Sequence, residues 1–479
     1  EAHHNMAMWS GDTDHMVQAI DYLRREIAMK GESATRLSAL ALAQQTKGDV
    51  AGAEASCCRA LELQPGHMSA LMTLAGCLSA RGEHRQANEL HERVLTINPK
   101  LSSVASNTLI NLTYLPDETS ETVFEAHRAW ARRFEAPLAE SRFRHPPTDD
   151  PDRRLRIGYV SGDFLAHPVG FLLRDVLAHH DGECFEIHCY SMVRREDEIT
   201  VTIRGEADHW HDEAVTDDRT LAEKIHEDGI DILVDLSGHT AYHRLLVFAR
   251  RPAPVQATWI GYFHSTGLEG IDYFITDPHT SPRGCGQRFS ETPLHLPHSR
   301  FCYSPPDYAP PVASGPAAVG AVITFGSFNR AEKLMPPTID AWAAILLQVP
   351  ESRLLLKARA YDDAATRDKV TECFVAAGVA AERLVFRGIS SHGQMLAEYG
   401  DLDIALDPFP FNGGMTTLEA LWMGVPVVAL AGEGVVSRQS LALLANIGLA
   451  ELAFPSVPAY VAGAVALASD AETRARLRR

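Results

Sequence analysis

The sequence lacks the features that would place it in a membrane or outside a cell. No apolar run reaches the roughly 18 residues that a membrane-spanning helix needs. The 8 cysteines contain no CxxC pair; Cys57 and Cys58 are adjacent and the others are scattered, so neither a zinc motif nor a disulfide framework is indicated. The first residues lack the basic and apolar regions of a signal peptide. We therefore expect a cytoplasmic protein that does not bind a membrane.

Positive charge is also scarce. The 44 Lys and Arg residues face 62 Asp and Glu residues, which gives a formal net charge of −18. A protein that binds mainly the phosphate backbone needs the opposite balance, so we expect no nucleic-acid partner. A small anionic ligand stays open, because one helix end and one lysine can dominate a small site. At 479 residues with 46% hydrophobic residues, the chain predicts two or three globular domains.

Residues 1–135 are predicted to form helices with an internal repeat. Five pairs of residues recur with an offset of 34, which is the tetratricopeptide period. The pairs are Leu40 with Leu74, Gly48 with Gly82, Ala53 with Ala87, Leu61 with Leu95, and Pro65 with Pro99. Residues 15–33 look like a degenerate repeat, and residues 102–135 look like a divergent repeat or adaptor. Such stacks bind polypeptides in a groove, so we expect a polypeptide partner; a generic helical bundle is the alternative.

After a polar, proline-containing stretch at residues 145–151, strands and helices alternate. In the first predicted domain, residues 153–310, the strands are Leu155–Ser161, Phe185–Tyr190, Ile230–Asp235, Val255–Ile260 and Tyr273–Ile275. A proline-rich linker at Tyr303–Gly315 leads to a second domain, residues 316–479. Its strands are Ala321–Gly326, Leu354–Leu356, Leu384–Phe386, Ile404–Leu406 and Val427–Leu430. The predicted fold class is α + α/β: helical repeats followed by two doubly wound, Rossmann-like domains in a GT-B arrangement.

Ligands of doubly wound sheets bind beyond the carboxyl ends of the strands. Three loops of the first domain are predicted there, and each carries a histidine: His167, His239 and His264. A histidine titrates near neutrality and could take a proton from a hydroxyl group. The alternative is a histidine that only fixes its loop. The sequence does not rank the three.

The second domain contains a strand, a glycine turn, a helix and another strand within Asp403–Leu430. The pair Gly413-Gly414 lets the backbone approach a ligand closely. Thr416 and Thr417 begin a helix whose positive end favours an anion, and Glu419 can accept hydrogen bonds from ribose hydroxyls. An ordinary capped helix would show similar residues.

Lys333 follows the first strand of the second domain, opposite this glycine turn. An ammonium group there could neutralise a departing diphosphate, as a cation does elsewhere. The alternative is a solvated surface lysine. The loop Gly388–His392 follows another strand and could receive a nucleotide base.

In combination, these features resemble the O-GlcNAc transferase family, glycosyltransferase family 41, in a bacterial form. The likeness covers nearly the whole chain. Besides the repeats it rests on Arg156–Pro168 (RIGYVSGDFLAHP), Asp228–Thr240 (DGIDILVDLSGHT), Arg251–Gly267 (RPAPVQATWIGYFHSTG), Phe325–Lys333 (FGSFNRAEK) and Asp407–Leu430. The resemblance implies inverting, metal-independent transfer of GlcNAc from UDP-GlcNAc to Ser or Thr of polypeptides. It implies UDP as product, no cofactor and no metal ligand.

The resemblance also assigns roles to residues. His167 matches a histidine proposed as the base, Lys333 matches the lysine on the diphosphate, and His239 is a further catalytic candidate. The expected ligands of the sugar nucleotide are Arg330, Lys333, Ser390, His392, Asn412, Gly413, Gly414, Met415, Thr416, Thr417 and Glu419. The residues expected at the sugar or acceptor are His264, Ser265, Thr266 and Gly267.

Several positions depart from the animal enzymes of the family. Arg330 stands where those enzymes have Gln, and His392 stands where they have Lys. Gly414-Met415 replaces a His-Thr pair, and Glu419 replaces the usual Asp. The repeat stack is also much shorter than theirs. SPINDLY-type relatives use GDP-fucose, so a protein O-fucosyltransferase is one alternative. A non-catalytic repeat scaffold that binds a sugar nucleotide is a second, and a sugar-nucleotide epimerase is a third. A homo-oligomer is compatible with all of them.

Overall fold

The computed structural model describes residues 13–145, 150, 152–313, 315 and 322–478. Some predicted features lie outside these residues. They are the first 12 residues of the predicted repeat region, residues 146–149 and 151 of the predicted domain boundary, residue 314 of the linker, residue 479, and the first residues of the second domain, 316–321.

Seven α-helices open the described part of the chain. They are α1 (Thr13–Lys30), α2 (Ala34–Lys47), α3 (Val50–Leu63), α4 (Met68–Ala80), α5 (His84–Ile97), α6 (Ser102–Leu112) and α7 (Ser120–Phe134). Helix pairs begin at residues 34, 68 and 102, so the 34-residue period extends into a third pair. The segment predicted as a degenerate repeat is the single helix α1.

The repeated residues have clear structural roles. Gly48 and Gly82 end the first helix of two pairs in the left-handed region, with φ of 96° and 76°, where a glycine avoids the Cβ penalty. Ala53 and Ala87 are fully buried, because a larger side chain would keep neighbouring helices apart. The offset of 34 in the sequence therefore reflects repeated turns and repeated close contacts.

Seven parallel strands form the first sheet. They are β1 (Leu155–Ser161), β2 (Phe185–Ser191), β3 (His209–Asp212), β4 (Ile232–Asp235), β5 (Val255–Thr258), β6 (Tyr273–Thr276) and β7 (Thr292–His295), in the spatial order 3-2-1-4-5-6-7. The intervening helices are α8 (Pro168–Ala178), α9 (Glu198–Glu206), α10 (Asp218–Glu227) and α11 (Leu245–Phe248). The sequence did not predict β3 and β7, which are four residues long, carry no buried residue and occupy the two edges.

Six parallel strands form the second sheet. They are β8 (Thr324–Ser327), β9 (Arg353–Lys357), β10 (Leu384–Arg387), β11 (Ile404–Leu406), β12 (Val427–Leu430) and β13 (Ala453–Phe454), in the order 10-9-8-11-12-13. The helices are α12 (Pro336–Gln348), α13 (Ala364–Ala376), α14 (His392–Glu398), α15 (Met415–Trp422), α16 (Gln439–Asn446), α17 (Val457–Ser469) and α18 (Ala471–Leu477). The two-residue strand β13 was also not predicted.

In each sheet the strand order reverses beside the strand that comes first in the chain, β1 or β8. A crevice opens at such a switch point. In the first sheet the crevice lies between the loops after β1 and β4, which carry His167 and His239. In the second sheet it lies between the loops after β8 and β11, which carry Lys333 and the Gly413-Gly414 turn. The topology therefore places most of the predicted chemistry at two crevices.

The helices share a hydrophobic core with the first sheet. Trp130 of α7 and Leu109 of α6 belong to one buried cluster with Leu233 of β4 and Phe248 of α11. A separate cluster forms the core of the second sheet. Among the described residues, no helix is both long and apolar enough to cross a membrane.

Candidate active site

A cleft of about 550 Å³ lies where the helices meet both sheets. The helices contribute a wall that includes Met72, Ser79, His84, His91, Asn107, Asn111 and Tyr114. The first sheet contributes Asp163, His167, Thr240, Ile260, Gly261 and Phe263, and the second contributes Asn329, Arg330, Lys333, Phe411, Gly414, Met415 and Thr416. Three separate parts of the chain thus enclose one cavity.

Lys333 reaches this cleft from a 3₁₀ turn at Ala331–Lys333 and is only 8% exposed. Its ammonium group donates to the carbonyl oxygen of Asn412 over 2.7 Å and to Asn329 Oδ1 over 3.1 Å. The Nζ atom also lies 4.4 Å from the ring centroid of Phe411, within range of a cation–π contact. Since an ammonium group has three N–H donors, one remains for a ligand.

The charge of Lys333 interacts electrostatically with the buried carboxyl group of Asp407, without a direct hydrogen bond between them. Burial lowers the pKa of Lys333 to about 8, and Asp407 opposes this shift. Burial raises the pKa of Asp407 to about 6, and Lys333 opposes that shift. Because each charge favours the ionised form of the other group, the cleft holds a protonated amine that is poorly solvated. Such an amine attracts a dianionic diphosphate strongly.

The glycine turn is tightly packed at its first residue and open at its second. The N–H of Gly413 donates to Asp407 Oδ1 over 2.7 Å. A Cβ on Gly413 would lie 2.4 Å from Thr417 Oγ1 and 2.8 Å from Asp407 Oδ1, so only glycine fits. A Cβ on Gly414 would meet nothing closer than 3.6 Å. Gly414 precedes α15 and lines the cleft, which turns the positive end of this helix toward a ligand.

The first residues of α15 differ in their access to the cleft. Met415 and Thr416 line it, and Thr416 Oγ1 donates to Asn329 Oδ1 over 3.0 Å. Thr417 is buried, with its hydroxyl 2.8 Å from that of Ser440. Asn412 is buried too, and its side chain donates to the carbonyl oxygens of Pro408 and Leu430. Thr417 and Asn412 therefore support the turn.

Glu419 and His392 form a pair beyond the end of the cleft. His392 Nε2 lies 2.8 Å from Glu419 Oε1, and Nδ1 lies 2.8 Å from the hydroxyl of Tyr308. The ring of Phe171 from the first domain lies 5.0 Å from that of His392. Burial raises the pKa of Glu419, which the bond to His392 opposes. Ser390 lies on the same loop, with a buried hydroxyl oxygen that has no partner. A nucleoside that reached this pair would contact both domains.

His167 caps the N-terminus of α8 and lines the cleft. Its Nδ1 accepts a long hydrogen bond from the N–H of Val169, at 3.4 Å, and lies 3.7 Å from Asp163 Oδ2. Burial, with a smaller contribution from the charge of Arg330, lowers the pKa of His167 to about 4. The imidazole is therefore neutral near pH 7 and can accept a proton, although the low pKa makes it a weak base.

His239 is not brought to the cleft. It is fully buried, and its Nε2–H donates to the carbonyl oxygen of Thr266 over 2.8 Å. Nδ1 lies 2.9 Å from the hydroxyl of Ser106 on α6. Because both ring nitrogens are engaged inside the protein, the geometry gives His239 a structural role. It joins the helices to the first sheet.

The second half of the Gly261–Gly267 loop faces α7 instead of the cleft. His264 stacks on His127 with 4.6 Å between ring centroids. Ser265 and Thr266 are buried and donate to the carboxylate of Glu291. Gly267 has a φ of 79°, and a Cβ there would lie 2.5 Å from the backbone of His127.

The four residues predicted at the sugar or acceptor, His264, Ser265, Thr266 and Gly267, are not among those that line the cleft. From the same loop, Gly261 and Phe263 line it instead.

Sequence reasoning missed an aromatic bridge between the helices and Lys333. His84 stacks on Tyr114 with 4.4 Å between ring centroids, and Tyr114 stacks on Phe411 at 4.7 Å. Phe411 in turn lies under the ammonium group of Lys333. His84 Nε2–H also donates to the carbonyl oxygen of Glu332 over 3.0 Å, next to Lys333. These contacts run from the helices to Lys333, and the bond to the neighbouring carbonyl of Glu332 closes the circuit. The four residues His84, Tyr114, Phe411 and Lys333 are called the aromatic bridge below.

Comparison with known proteins agrees with this architecture. The family model of glycosyl transferase family 41 matches residues 125–305 and 318–479. A mutant of Thermobaculum terrenum O-GlcNAc transferase has a structure that superposes with a TM-score of 0.91 at 36% sequence identity, covering 100% of this chain and 90% of that one.

Plant proteins are similar over most of the chain as well. A rice protein (Oryza sativa subsp. japonica) named "Probable UDP-N-acetylglucosamine--peptide N-acetylglucosaminyltransferase SPINDLY" is 37% identical over 399 residues, 81% of this chain and 42% of its own length. The corresponding SEC protein of Arabidopsis thaliana is 32% identical over 355 residues, 69% of this chain and 36% of its own length. The chain thus spans less than half the length of these relatives. The match of the family model, the identity to the plant proteins and the shared structure together place the chain in glycosyl transferase family 41.

Proposed function

We propose that the chain is an inverting protein O-glycosyltransferase that moves GlcNAc from UDP-GlcNAc to Ser or Thr of a polypeptide. The observation that carries the proposal is the convergence of three features on one cleft. These are the buried ammonium group of Lys333, the N-terminus of α15 behind Gly414, and a wall of repeat helices. The first two fit a diphosphate, and the third fits a polypeptide.

The diphosphate would accept from the free N–H of Lys333 and from the backbone N–H of Thr416 at the start of α15. The ribose and base would extend toward Glu419 and the loop of Ser390 and His392. Arg330, which lines the cleft and is paired with Glu332, adds a second positive charge near the phosphates. Three of the expected ligands do not line the cleft and would contribute only by shaping the glycine turn. They are Asn412, Gly413 and Thr417.

In the transfer step, an acceptor hydroxyl oxygen would form a bond to the anomeric carbon. The bond from this carbon to the diphosphate oxygen breaks on the opposite side, and its electron pair leaves with UDP, so the configuration inverts. The hydroxyl proton would pass to His167, which is neutral near pH 7. Lys333 and the helix end would stabilise the charge growing on UDP, an effect commonly worth about 3–4 kcal/mol per donor.

The polypeptide would enter along the helical wall of the cleft. This wall offers the exposed side-chain amide of Asn107 and apolar surface at Met72 and Ile110. Amides can pair with the backbone of an extended peptide whatever its side chains are. A homo-oligomer is compatible with the proposal.

The names of the similar proteins support UDP-GlcNAc as donor, since they refer to O-GlcNAc or to UDP-N-acetylglucosamine. Calorimetric titration with UDP, UDP-GlcNAc and GDP-fucose tests this choice directly. We expect UDP and UDP-GlcNAc to bind and GDP-fucose to bind at least tenfold more weakly.

A transfer assay completes the test. The chain is incubated with UDP-GlcNAc and a library of Ser- and Thr-containing peptides, and mass spectrometry follows the gain of one N-acetylhexosamine. Binding without transfer would identify a sugar-nucleotide-binding scaffold, and preference for GDP-fucose would identify a fucosyltransferase. Failure of all three nucleotides to bind would reject the proposal.

A further inference from the structure

A group of titratable side chains lies on the outer strands of the first sheet. Glu186 and His188 are two residues apart on β2, so they project from the same face of the strand. His209 lies on the edge strand β3 directly opposite His188 in the parallel register. None of the three lines the cleft. Glu186, His188 and His209 are called the outer-strand cluster below.

The ligand atoms of the outer-strand cluster are close together. Glu186 Oε1 lies 3.3 Å from His188 Nε2 and 2.8 Å from His209 Nε2. These atoms all lie within 4.8 Å of one another. In a tetrahedral zinc site with bonds of about 2.0–2.1 Å, neighbouring ligand atoms are about 3.3 Å apart. The observed separations are therefore close to those of three ligands around one ion.

Outer contacts hold two of these ligands in place. His188 is 5% exposed, and its Nδ1 lies 3.3 Å from His211 Nε2, which leaves Nε2 directed toward Glu186. The other oxygen of Glu186, Oε2, lies 3.6 Å from Nε of Arg156. Metal ligands are commonly oriented by such contacts of their second polar atom. The side chain of His209 is 48% exposed, so a water molecule can reach a fourth position.

We propose that Glu186, His188 and His209 bind a divalent first-row transition-metal ion. Two imidazoles and one carboxylate form a ligand set that suits Zn²⁺. The ion would join the four-residue edge strand β3 to the first four residues of β2, whereas the crevice lies beyond the carboxyl ends of β1 and β4. Its role would therefore be structural, and transfer in the cleft would not depend on it.

A neighbouring set of side chains is less suitable. His188, His211 and Asp228 also lie within 4.8 Å of one another, but they would use the other nitrogen of His188. Asp228 already accepts a hydrogen bond from Tyr190 over 2.8 Å, and its Oδ2 lies 3.5 Å from the ammonium group of Lys224. Both contacts occupy Oδ2 of Asp228, the oxygen that lies 3.9 Å from His211 Nε2, whereas Arg156 contacts only Oε2 of Glu186 and leaves Oε1 to the two histidines. The outer-strand cluster is the better site.

The test uses the full chain without a polyhistidine tag, titrated with zinc chloride in a calorimeter. His209→Ala removes a half-exposed ligand and Glu186→Gln removes the carboxylate charge, so both variants are expected to fold. His298→Ala, which changes an exposed histidine outside the cluster, is the matched control. We expect one Zn²⁺ per chain, weakened by about tenfold or more in the first two variants and unchanged in the control.

Thermal unfolding provides a second readout. Zn²⁺ should raise the Tm of the unaltered chain and of His298→Ala but not that of the two cluster variants, because an ion that binds only the folded state stabilises it. Equal Zn²⁺ affinity in His209→Ala and in the unaltered chain would overturn the proposal, and it would assign any binding to exposed cysteines or other histidines. Absence of Zn²⁺ binding to the unaltered chain would leave Glu186 as an ordinary hydrogen-bond acceptor and would also overturn it. Neither outcome of the Zn²⁺ experiments affects the UDP titration, because the outer-strand cluster does not line the cleft.

Discussion

Replacing Lys333 with methionine removes the buried ammonium group from the cleft but keeps an unbranched side chain over Phe411. The variant loses the hydrogen bonds to Asn412 and Asn329 and the N–H that is free for a ligand. If that N–H stabilises the leaving diphosphate, the loss is about 3–4 kcal/mol in the transition state, or about 10²–10³-fold in kcat.

The change also leaves Asp407 buried without its counter-charge. Removing one partner of a buried ion pair commonly costs about 3–5 kcal/mol of stability. The cost should be smaller here, because burial already holds the pKa of Asp407 at about 6 in the presence of Lys333. Without the amine this pKa rises further, which favours the neutral carboxyl group. The double variant Lys333→Met/Asp407→Asn should recover stability without recovering activity, since an amide oxygen can still accept from Gly413.

Lys357 provides a matched control in the same sheet. It is 5% exposed and donates to the carbonyl oxygen of Gly388 over 2.8 Å, and its Nζ lies 2.9 Å from Glu398 Oε2. Lys357→Met therefore removes a buried, paired ammonium group that does not line the cleft. We expect it to lower the free energy of unfolding but to leave kcat within about tenfold of the unaltered chain. Transfer kinetics and denaturant unfolding measure both quantities. A folded Lys333→Met chain that keeps full kcat would refute the assignment of Lys333 to the diphosphate.

Three further results are expected. In the absence of ligand the amine of Lys333 has a pKa of about 8, and a bound diphosphate favours its charged form. The Kd for UDP should therefore rise by about tenfold per pH unit above pH 8. Calorimetry at several pH values measures this Kd, and a Kd that stays constant up to about pH 9.5 would contradict the prediction. His167→Ala and His167→Asn should both lower kcat by about 10²–10⁴-fold; recovery in the Asn variant alone would show that His167 only caps α8. Tyr114→Leu removes two ring stacks that are worth about 1–3 kcal/mol together, so it should lower both the Tm and the affinity for UDP. Tyr114→Phe keeps the ring and should leave the Tm and the affinity for UDP unchanged.

The sequence predicted those parts of the site that depend on residues close together in the chain. The loop with Lys333 and the turn at Gly413-Gly414 each follow an apolar strand directly, and parallel strands place such loops at one edge of a sheet. The repeat period was readable because Gly48 and Gly82 end helices at equivalent positions. These features depend on neighbours within a few residues, so they could be predicted from the sequence.

Contacts between distant segments could not be predicted in this way. His84 and Glu332 are 248 residues apart in the chain, and His239 and Ser106 are 133 apart. In the Gly261–Gly267 loop, the position after a predicted strand placed His264 near the crevice. It did not show which half of the loop lines the cleft. The buried carboxylate of Glu291 decides this, since it binds Ser265 and Thr266 away from the cleft.

The aromatic bridge changes the role of the repeat helices in this protein. If the helices only captured polypeptides, they would contact the acceptor side of the cleft and leave the diphosphate side alone. Instead Tyr114 supports Phe411 under the amine of Lys333, and His84 holds the backbone beside that lysine. The helices also share a buried core with the first sheet, so they cannot be removed without exposing apolar surface. The position of the amine therefore depends on the helices as well as on the second sheet, and a change in the helices is expected to alter donor binding even when no acceptor is present.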